Sequence, residues 1–175
     1  MFYSRIHEEV EIMKILGIDP GIGRCGWGVV DVIGQKLVVG SYGCIETKQK
    51  QTAEKRLEEL YTKITEVIKK EKPDELGIEK LFFGTNVTTA FSVGQARGVV
   101  LLSAAQHNLK VGEYSPGEVK IAVTGYGKAE KSQVGQMVKA ILKLSKVPTP
   151  DDTADALAIA ITHGFSRKMT SARML

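Results

Sequence analysis

The spacing of apolar residues along this chain switches between a pattern typical of strands and one typical of helices. Each switch predicts a change from one kind of element to the other. Three short apolar segments bounded by Gly or Pro predict strands, and they follow one another closely enough to form an antiparallel meander. These predicted strands are 15–18, 27–32 and 36–47, with Gly40 and Gly43 as expected bulges or bends in the third. From Thr52 to Lys70 apolar residues instead recur every three or four positions, which predicts an amphipathic outer helix.

The rest of the chain alternates strands with helices. Short strands are predicted at 75–79 and 111–114, separated by a long helix at 87–107 that is apolar nearly all round. The strand–helix–strand order implies that 75–79 runs parallel to a neighbour, which we expect to be the first strand. Three more helices are predicted, one starting at Ser115-Pro116 and two spanning 129–144 and 150–164. The order βββαβαβααα predicts an α/β fold with a mixed five-stranded sheet flanked by helices.

Size and composition predict one domain. The chain has 175 residues, a mass of 19.1 kDa and 43% hydrophobic residues, enough to bury a core, and we expect this domain to span 13–165. Residues 1–12 are expected to be an alternative start or a disordered extension, and 166–175 a flexible basic tail. The N-terminus lacks the apolar core of a signal peptide, and the Cys and His spacings do not suggest a zinc site or a disulfide framework, so a cytoplasmic protein is expected.

Charge adds little by itself. A net charge of +4 and a pI near 9.0 fit a nucleic-acid partner, but many other proteins are equally basic.

The first predicted strand ends in a single carboxylate, Asp19, directly before a Gly-rich turn. Such a carboxylate costs desolvation energy unless it is hydrogen-bonded, paired or metal-bound, and a turn aspartate that accepts its own backbone N–H groups is one interpretation. Residues 21–26 spell G-x-G-x-x-G, but a dinucleotide site needs a helix where this chain predicts a strand. An actin-like ATPase needs two large lobes, for which the chain is too short. A ribonuclease H-like nuclease begins with such an aspartate and needs further acids downstream.

Further acids occur at two places. Glu79 ends the strand expected beside the first one, and Asp151, Asp152 and Asp155 open the last predicted helix. Taken alone, acids at a helix N-terminus are favoured by the helix dipole and as caps, and Asp151, directly after Pro150, is the expected N-cap. Taken together, carboxylates with no His or Cys among them repel one another unless hard divalent cations neutralise them. Mg²⁺ or Mn²⁺ suits such a site, and two of these ions are a standard device for phosphodiester cleavage.

Five motifs in a fixed order resemble the RuvC family, the bacterial Holliday-junction resolvases of the ribonuclease H-like superfamily. The motifs are I-L-G-I-D-P-G at 15–21, G-I-E-K-L-F-F at 77–83, G-Q-A-R-G at 94–98, A-E-K-S-Q-V at 129–134 and A-D-A-L-A-I-A-I-T-H at 154–163. The resemblance implies a catalytic and metal-binding tetrad, expected to bind two Mg²⁺ ions per subunit, at Asp19, Glu79, Asp152 and Asp155.

The resemblance also implies the substrate and the partners. A homodimer would grip a four-way DNA junction and nick two strands of like polarity symmetrically, leaving 5′-phosphate and 3′-hydroxyl ends, and RuvA and RuvB would be its branch-migration partners. Phe82 matches an aromatic residue that stacks on a base, and Lys120 and Lys131 match basic residues near the scissile phosphate. Lys128 lies in the same loop as Lys131 and is a further expected phosphate contact. A core phenylalanine and solvated lysines are the plainer interpretations of these positions.

Two other functions remain open at this point. One is another ribonuclease H-like nuclease, acting on RNA–DNA hybrids or damaged duplex. The other is a non-catalytic junction-binding protein, against which the complete acidic tetrad argues. The long apolar helix at 87–107 must be buried on two sides, either by the sheet and other helices or by a partner subunit.

Overall fold

The predicted order of strands and helices is confirmed in the computed structural model, which describes residues 11–81 and 87–172. The strands are β1 Ile12–Asp19, β2 Arg24–Ile33, β3 Lys36–Glu46, β4 Glu75–Glu79 and β5 Lys110–Tyr114. The helices are α1 Ala53–Glu71, α2 Val87–Gln106, α3 Pro116–Thr124, α4 Lys131–Ile141 and α5 Asp151–Ala172. In the described parts of the chain, none of these helices has the length and apolar character needed to cross a membrane.

The five strands form one mixed sheet in the order β3-β2-β1-β4-β5. β1, β2 and β3 pair antiparallel, and β4 and β5 are added in parallel beyond β1, as the sequence predicts. The register of β2 and β3 shifts between Gly28 and Val30, so that Gly40 lies in the irregular segment of β3. The irregularity agrees with the bulge or bend expected at Gly40, whereas Gly43 pairs with Trp27 in regular register.

Strand alternation assigns the two faces of the central strands to different helices. On β1, Leu16 and Ile18 belong to the core cluster that includes residues of α1 and α2, whereas Ile15 belongs to the cluster that includes α3, α4 and α5. Gly17 also faces α5, because a Cβ atom at this position would overlap the Ala156 carbonyl oxygen. The side of β1 that carries residues 15 and 17 also carries Asp19. The strand therefore directs Asp19 towards α5.

Helix α5 lies directly on the sheet because glycines remove the side chains that would hold it away. A Cβ at Gly26 would overlap the Asp152 carbonyl oxygen, and one at Gly77 would lie 3.1 Å from Ile159 Cγ2. These close approaches bring the first turn of α5 against the start of β2 and its third turn against the middle of β4.

Several predicted boundaries are wrong, and two of these errors concern the ends of the domain. The last helix does not end at Gly164 but continues to Ala172, because Gly164 is buried against Val32 and Leu37 instead of ending the helix at its exposed end. Residues 166–172, which were predicted to belong to a flexible tail, are therefore helical. At the other end, Ile12 pairs with Ile33 in β1, so the predicted extension 1–12 reaches one residue too far. Residues 1–10 and 173–175 lie outside the described residues.

Candidate active site

The four predicted carboxylates are held by three elements that meet at one end of the sheet. Asp19 is the last residue of β1 and Glu79 the last residue of β4, and these strands are parallel neighbours. Asp152 and Asp155 lie in the first turns of α5, whose N-terminus covers this end of the sheet. The carboxyl ends of parallel strands are where sites in α/β folds gather. The structure therefore brings together residues that are up to 136 positions apart in the chain.

Asp19 has the most perturbed carboxyl group of the set. Burial, followed by the negative charges of Asp155, Glu79 and Asp152, raises the pKa of Asp19 from its ordinary value of 3.8 to about 7. Lys131 opposes this shift without cancelling it. The raised pKa means that the surroundings of Asp19 supply too little positive charge to stabilise its ionised form.

Glu79 and Asp155 are perturbed in the same direction. Burial and the charge of Asp155 raise the pKa of Glu79, although Lys120 and Lys131 lower it in part. Burial likewise raises the pKa of Asp155, against a hydrogen bond from Lys131. Perturbed titratable groups that share a cleft are a recognised sign of a functional site.

Two basic side chains lie against the acids of α5. The Lys131 ammonium is 2.7 Å from Asp151 Oδ2 and 2.8 Å from Asp155 Oδ2. Arg24 Nε is 3.1 Å from Asp152 Oδ2, yet the N–H does not point at that oxygen, which is buried without a hydrogen-bond donor. Among the described residues, no three Asp, Glu, His or Cys side chains are gathered closely enough, as they stand, to hold an ion. Asp152 and Asp155 are instead turned towards these cationic groups.

The donor set nevertheless fits a hard divalent cation. All four side chains offer carboxylate oxygens, the ligands that Mg²⁺ and Mn²⁺ prefer. Asp152 Oδ2 has a free acceptor position although Arg24 lies nearby, and the raised pKa of Asp19 shows that its charged form is under-compensated. A bound cation would relieve both.

A cleft of about 180 Å³ opens beside the acids. Its lining includes Glu79, Asp155, Lys120 and Lys131, so two of the predicted phosphate contacts lie where a substrate would meet the carboxylates. Lys128 is exposed in the loop between α3 and α4 and is not among the residues of this lining. Phe82 lies outside the described residues.

A family comparison identifies the fold and the class of enzyme. The sequence profile of the family described as crossover junction endodeoxyribonuclease RuvC matches residues 15–163. The chain belongs to the RuvC family. RuvC proteins with this same description from Alkaliphilus metalliredigens and Halothermothrix orenii are 51% identical over 88% of this chain and 50% identical over 90% of it, covering 94% and 95% of their own lengths. RuvC enzymes are metal-dependent nucleases, and this chain is a member of that class.

A solved RuvC structure agrees with the chain in three dimensions. Thermus thermophilus RuvC in complex with a Holliday junction substrate is 38% identical, with a TM-score of 0.85 over 90% of this chain and 96% of that one. The predicted ribonuclease H-like fold and the predicted RuvC membership are thus confirmed.

Two basic residues near the RuvC carboxylates were not predicted. Arg24, the first residue of β2, reaches Asp152 from the Gly-rich hairpin. Arg97 on α2 donates from Nε to the Glu79 carbonyl oxygen at 3.2 Å and pairs with Glu113 of β5. Arg97 lies within the RuvC motif G-Q-A-R-G, which was the available signal, but the motif does not reveal its contact with the end of β4.

Asp151 does not have its predicted capping role. It is the first residue of α5 itself, and its carboxylate pairs with Lys131 rather than folding back as the N-cap. Asp152, not Asp151, contributes to the raised pKa of Asp19. The electrostatic neighbours of Asp19 thus agree with the assignment of Asp152 to the RuvC tetrad.

Proposed function

We propose that this RuvC-family endonuclease resolves four-way DNA junctions by paired, symmetric nicks at a site made of Asp19, Glu79, Asp152 and Asp155. The observation that carries the proposal is the meeting of four carboxylates, three of them with a raised pKa, beside two cleft-lining lysines at one end of the sheet. Two Mg²⁺ ions per subunit, or Mn²⁺ in their place, would be held by these carboxylates. When bound, such ions supply an activated water and stabilise the leaving 3′ oxygen.

The protein's own side chains bind and orient the DNA. Lys120 and Lys131 line the cleft next to Glu79 and Asp155, where an ammonium group would hold the phosphate against the carboxylates. Lys131 would exchange its contact with Asp155 for one with the phosphate, while Asp151 keeps a second carboxylate at 2.7 Å from its ammonium group. Lys128, exposed on the adjacent loop, would add a further phosphate contact, and Phe82 would stack on a base.

The proposal is tested with three substrates and Mg²⁺. A four-way junction, a linear duplex and an RNA–DNA hybrid are each incubated with the enzyme, and the products are mapped on each strand. We expect paired nicks in the junction alone, with ends that DNA ligase seals because they carry a 5′-phosphate and a 3′-hydroxyl. Equal cleavage of the duplex or the hybrid would support a different ribonuclease H-like nuclease, and binding without cleavage would support a junction-binding protein.

A homodimer formed through α2 is part of the proposal. Phe91 and Leu102 on this helix are 69% and 52% exposed, and Gly98 between them is open to solvent. These residues share one face of the helix, whereas Ala96, Val100 and Ala104 are buried in the core of the same chain. An apolar face of this kind suits a second copy of the chain, and a two-fold dimer matches a two-fold junction.

Sedimentation of the Phe91→Asp variant tests the dimer. We expect wild type to sediment as a dimer at micromolar concentration and the variant as a folded monomer, because a carboxylate at this position would be buried without a partner. A wild-type monomer would contradict the proposal. RuvA and RuvB as partners, and the cytoplasm as the location, follow from the same family membership and belong to the proposal.

A further inference from the structure

At the end of β4 away from the four carboxylates, α5 makes a buried polar contact with this strand. His163 and Glu75 are 4% and 5% exposed, and His163 Nε2 lies 2.6 Å from Glu75 Oε2. A carboxylate can only accept, so Nε2 donates this hydrogen bond. The other ring nitrogen, Nδ1, lies 2.8 Å from the Tyr114 hydroxyl, and Arg167 Nη2 lies 3.1 Å from Glu75 Oε1.

This contact joins the same two elements that carry Glu79 and Asp155. Glu75 precedes Glu79 by four residues on β4, a distance of ~13 Å along a strand. Asp155 precedes His163 by eight residues on α5, a distance of ~12 Å along a helix. The strand and the helix run in opposite directions here, so the two lengths match from one end of the contact to the other.

The midpoints of the two segments also meet. Gly77 lies halfway between the two glutamates, and Ile159 lies halfway between Asp155 and His163. A Cβ atom at Gly77 would lie 3.1 Å from Ile159 Cγ2 and 3.3 Å from His163 Cβ, so Gly77 faces the turn of α5 that joins these two residues. The axial position of α5 along β4 is therefore marked by two contacts, at His163–Glu75 and at Gly77, and Asp155 is near enough to Glu79 to raise its pKa.

Of the contacts between α5 and β4, the hydrogen bond between His163 and Glu75 is the most sensitive to sliding. A displacement by one helical residue, ~1.5 Å, would break the hydrogen bond and leave a buried carboxylate without its donor. Apolar contacts such as Ile159 on Gly77 are less directional and tolerate small shifts better. Asp155 and Glu79, which repel each other, cannot fix the position themselves.

We propose that His163 and Glu75 form a register clamp that sets the axial position of α5 on β4 and thereby holds Asp155 opposite Glu79 for metal binding. They are positioning residues, since neither reaches the site. The inference rests on the proposed function, because it assumes that Asp155 and Glu79 bind the metal. Desolvation offsets much of the attraction within a buried ion pair, so a positioning role does not require this contact to add net stability.

Two substitutions of His163 separate the clamp from a general role in packing. In His163→Gln the amide nitrogen reaches the position of Nε2 and can still donate to Glu75. In His163→Asn the shorter side chain places its amide near the position of Nδ1, so contact with Tyr114 is retained and contact with Glu75 is lost. Glu75→Gln, which keeps an acceptor oxygen, and Glu75→Met, which does not, form the reciprocal pair.

The measurements are calorimetric titration of Mn²⁺ into the EDTA-stripped enzyme and junction-cleavage kinetics, both well below each variant's melting temperature. We expect His163→Asn and Glu75→Met to weaken Mn²⁺ binding by roughly 10-fold or more and to lower kcat with little change in KM, while His163→Gln and Glu75→Gln stay within about threefold of wild type. Equal Mn²⁺ affinity in all four variants, or equal losses within each pair, would overturn the clamp.

Failure of both His163→Asn and Glu75→Met to fold would also overturn it, because the contact would then be required for the fold itself. The two levels of the proposal fail differently. A wild-type enzyme that neither binds Mn²⁺ nor cleaves the junction contradicts the proposed function. A wild-type enzyme that does both, alongside four indistinguishable variants, contradicts only the clamp.

Discussion

Strand β4 begins and ends with a glutamate, and both side chains face α5. The two carboxylates differ in whether the protein supplies them with hydrogen-bond donors and positive charge. Glu75 is buried and accepts from His163 Nε2, and its other oxygen lies 3.1 Å from Arg167. Glu79 lies at the cleft, where no described residue forms a salt bridge or a side-chain hydrogen bond with its carboxylate, and its pKa is raised by burial and by Asp155. The same residue type, on the same strand and face, is neutralised at one end of the sheet and left under-neutralised at the other.

The difference separates a structural acid from a functional one. At the Glu75 end the protein supplies its own donors, so nothing from outside is needed. At the Glu79 end, three further carboxylates add negative charge, and the pKa of Asp19 rises to about 7. A protein keeps such an unfavourable arrangement when an external cation completes it.

The largest expected effect concerns DNA cleavage by variants of the four carboxylates at the Glu79 end of the sheet. Asp19→Asn, Glu79→Gln, Asp152→Asn and Asp155→Asn should each lower junction cleavage by at least about 100-fold, because each removes a charged ligand while leaving the basic surface unchanged. Junction binding should persist, as measured by gel shift in Ca²⁺ or EDTA. Asp151→Asn is the matched control on the same turn of α5 and should cleave within a few-fold of wild type. If Asp151→Asn were the inactive variant and Asp152→Asn cleaved normally, the assignment on α5 would be displaced by one residue.

Stability should respond to the two ends with opposite signs. Because the folded-state pKa of Asp19 is raised, the metal-free protein loses stability as pH rises from about 4 through 7, and the penalty then stays constant. Asp19→Asn should therefore stabilise the metal-free enzyme at pH 8 by on the order of 2–4 kcal/mol, and by little at pH 4. Glu75→Met should destabilise it by roughly 1–3 kcal/mol, since it leaves buried donors unsatisfied.

Thermal melts in EDTA at both pH values measure these shifts. Addition of Mg²⁺ should raise the melting temperature of wild type and leave that of Asp19→Asn nearly unchanged. A lower melting temperature for metal-free Asp19→Asn at pH 8 would mean that this carboxylate is already compensated within the protein.

The smallest expected effect concerns the lysines of the cleft. Lys120→Ala and Lys131→Ala should each reduce the slope of log affinity against log salt by about one unit for junction binding, because each removes one phosphate contact. Lys70→Ala, whose side chain is 78% exposed in the last turn of α1, is the control and should leave the slope unchanged. Equal slopes for all three variants would make Lys120 and Lys131 ordinary solvated lysines.

Local patterns predicted the fold and the acidic residues because both are encoded in short stretches. Strand alternation and helical spacing predicted each element, and a carboxylate at the end of an apolar strand marks Asp19 and Glu79 directly. The end of α5 was missed because Gly164 is a local stop signal, whereas in the structure it is buried against β2 and β3 side chains.

Contacts between distant residues could not be predicted in this way. His163 and Glu75 are 88 residues apart, and neither stands out in its own motif. Arg24 and Arg97 were likewise missed, because their relation to Asp152 and Glu79 depends on how the hairpin and α2 pack. Such contacts arise only from the tertiary arrangement. They decide which carboxylates have a hydrogen-bond donor or a positive charge beside them.

The central claim is that the carboxylates at the Glu79 end of the sheet are under-neutralised. Proton release on metal binding tests this claim most directly. Calorimetric titration of Mn²⁺ into metal-free enzyme, repeated in buffers of different ionisation enthalpy, gives the number of protons displaced. With the pKa of Asp19 near 7, at least about 0.9 proton should be released per site at pH 6 and about half a proton at pH 7, falling almost to zero at pH 8.5. Asp19→Asn should lose most of this release. Mn²⁺ binding at pH 6 without proton release would contradict the account, since the carboxylates would then be fully ionised before the metal arrives.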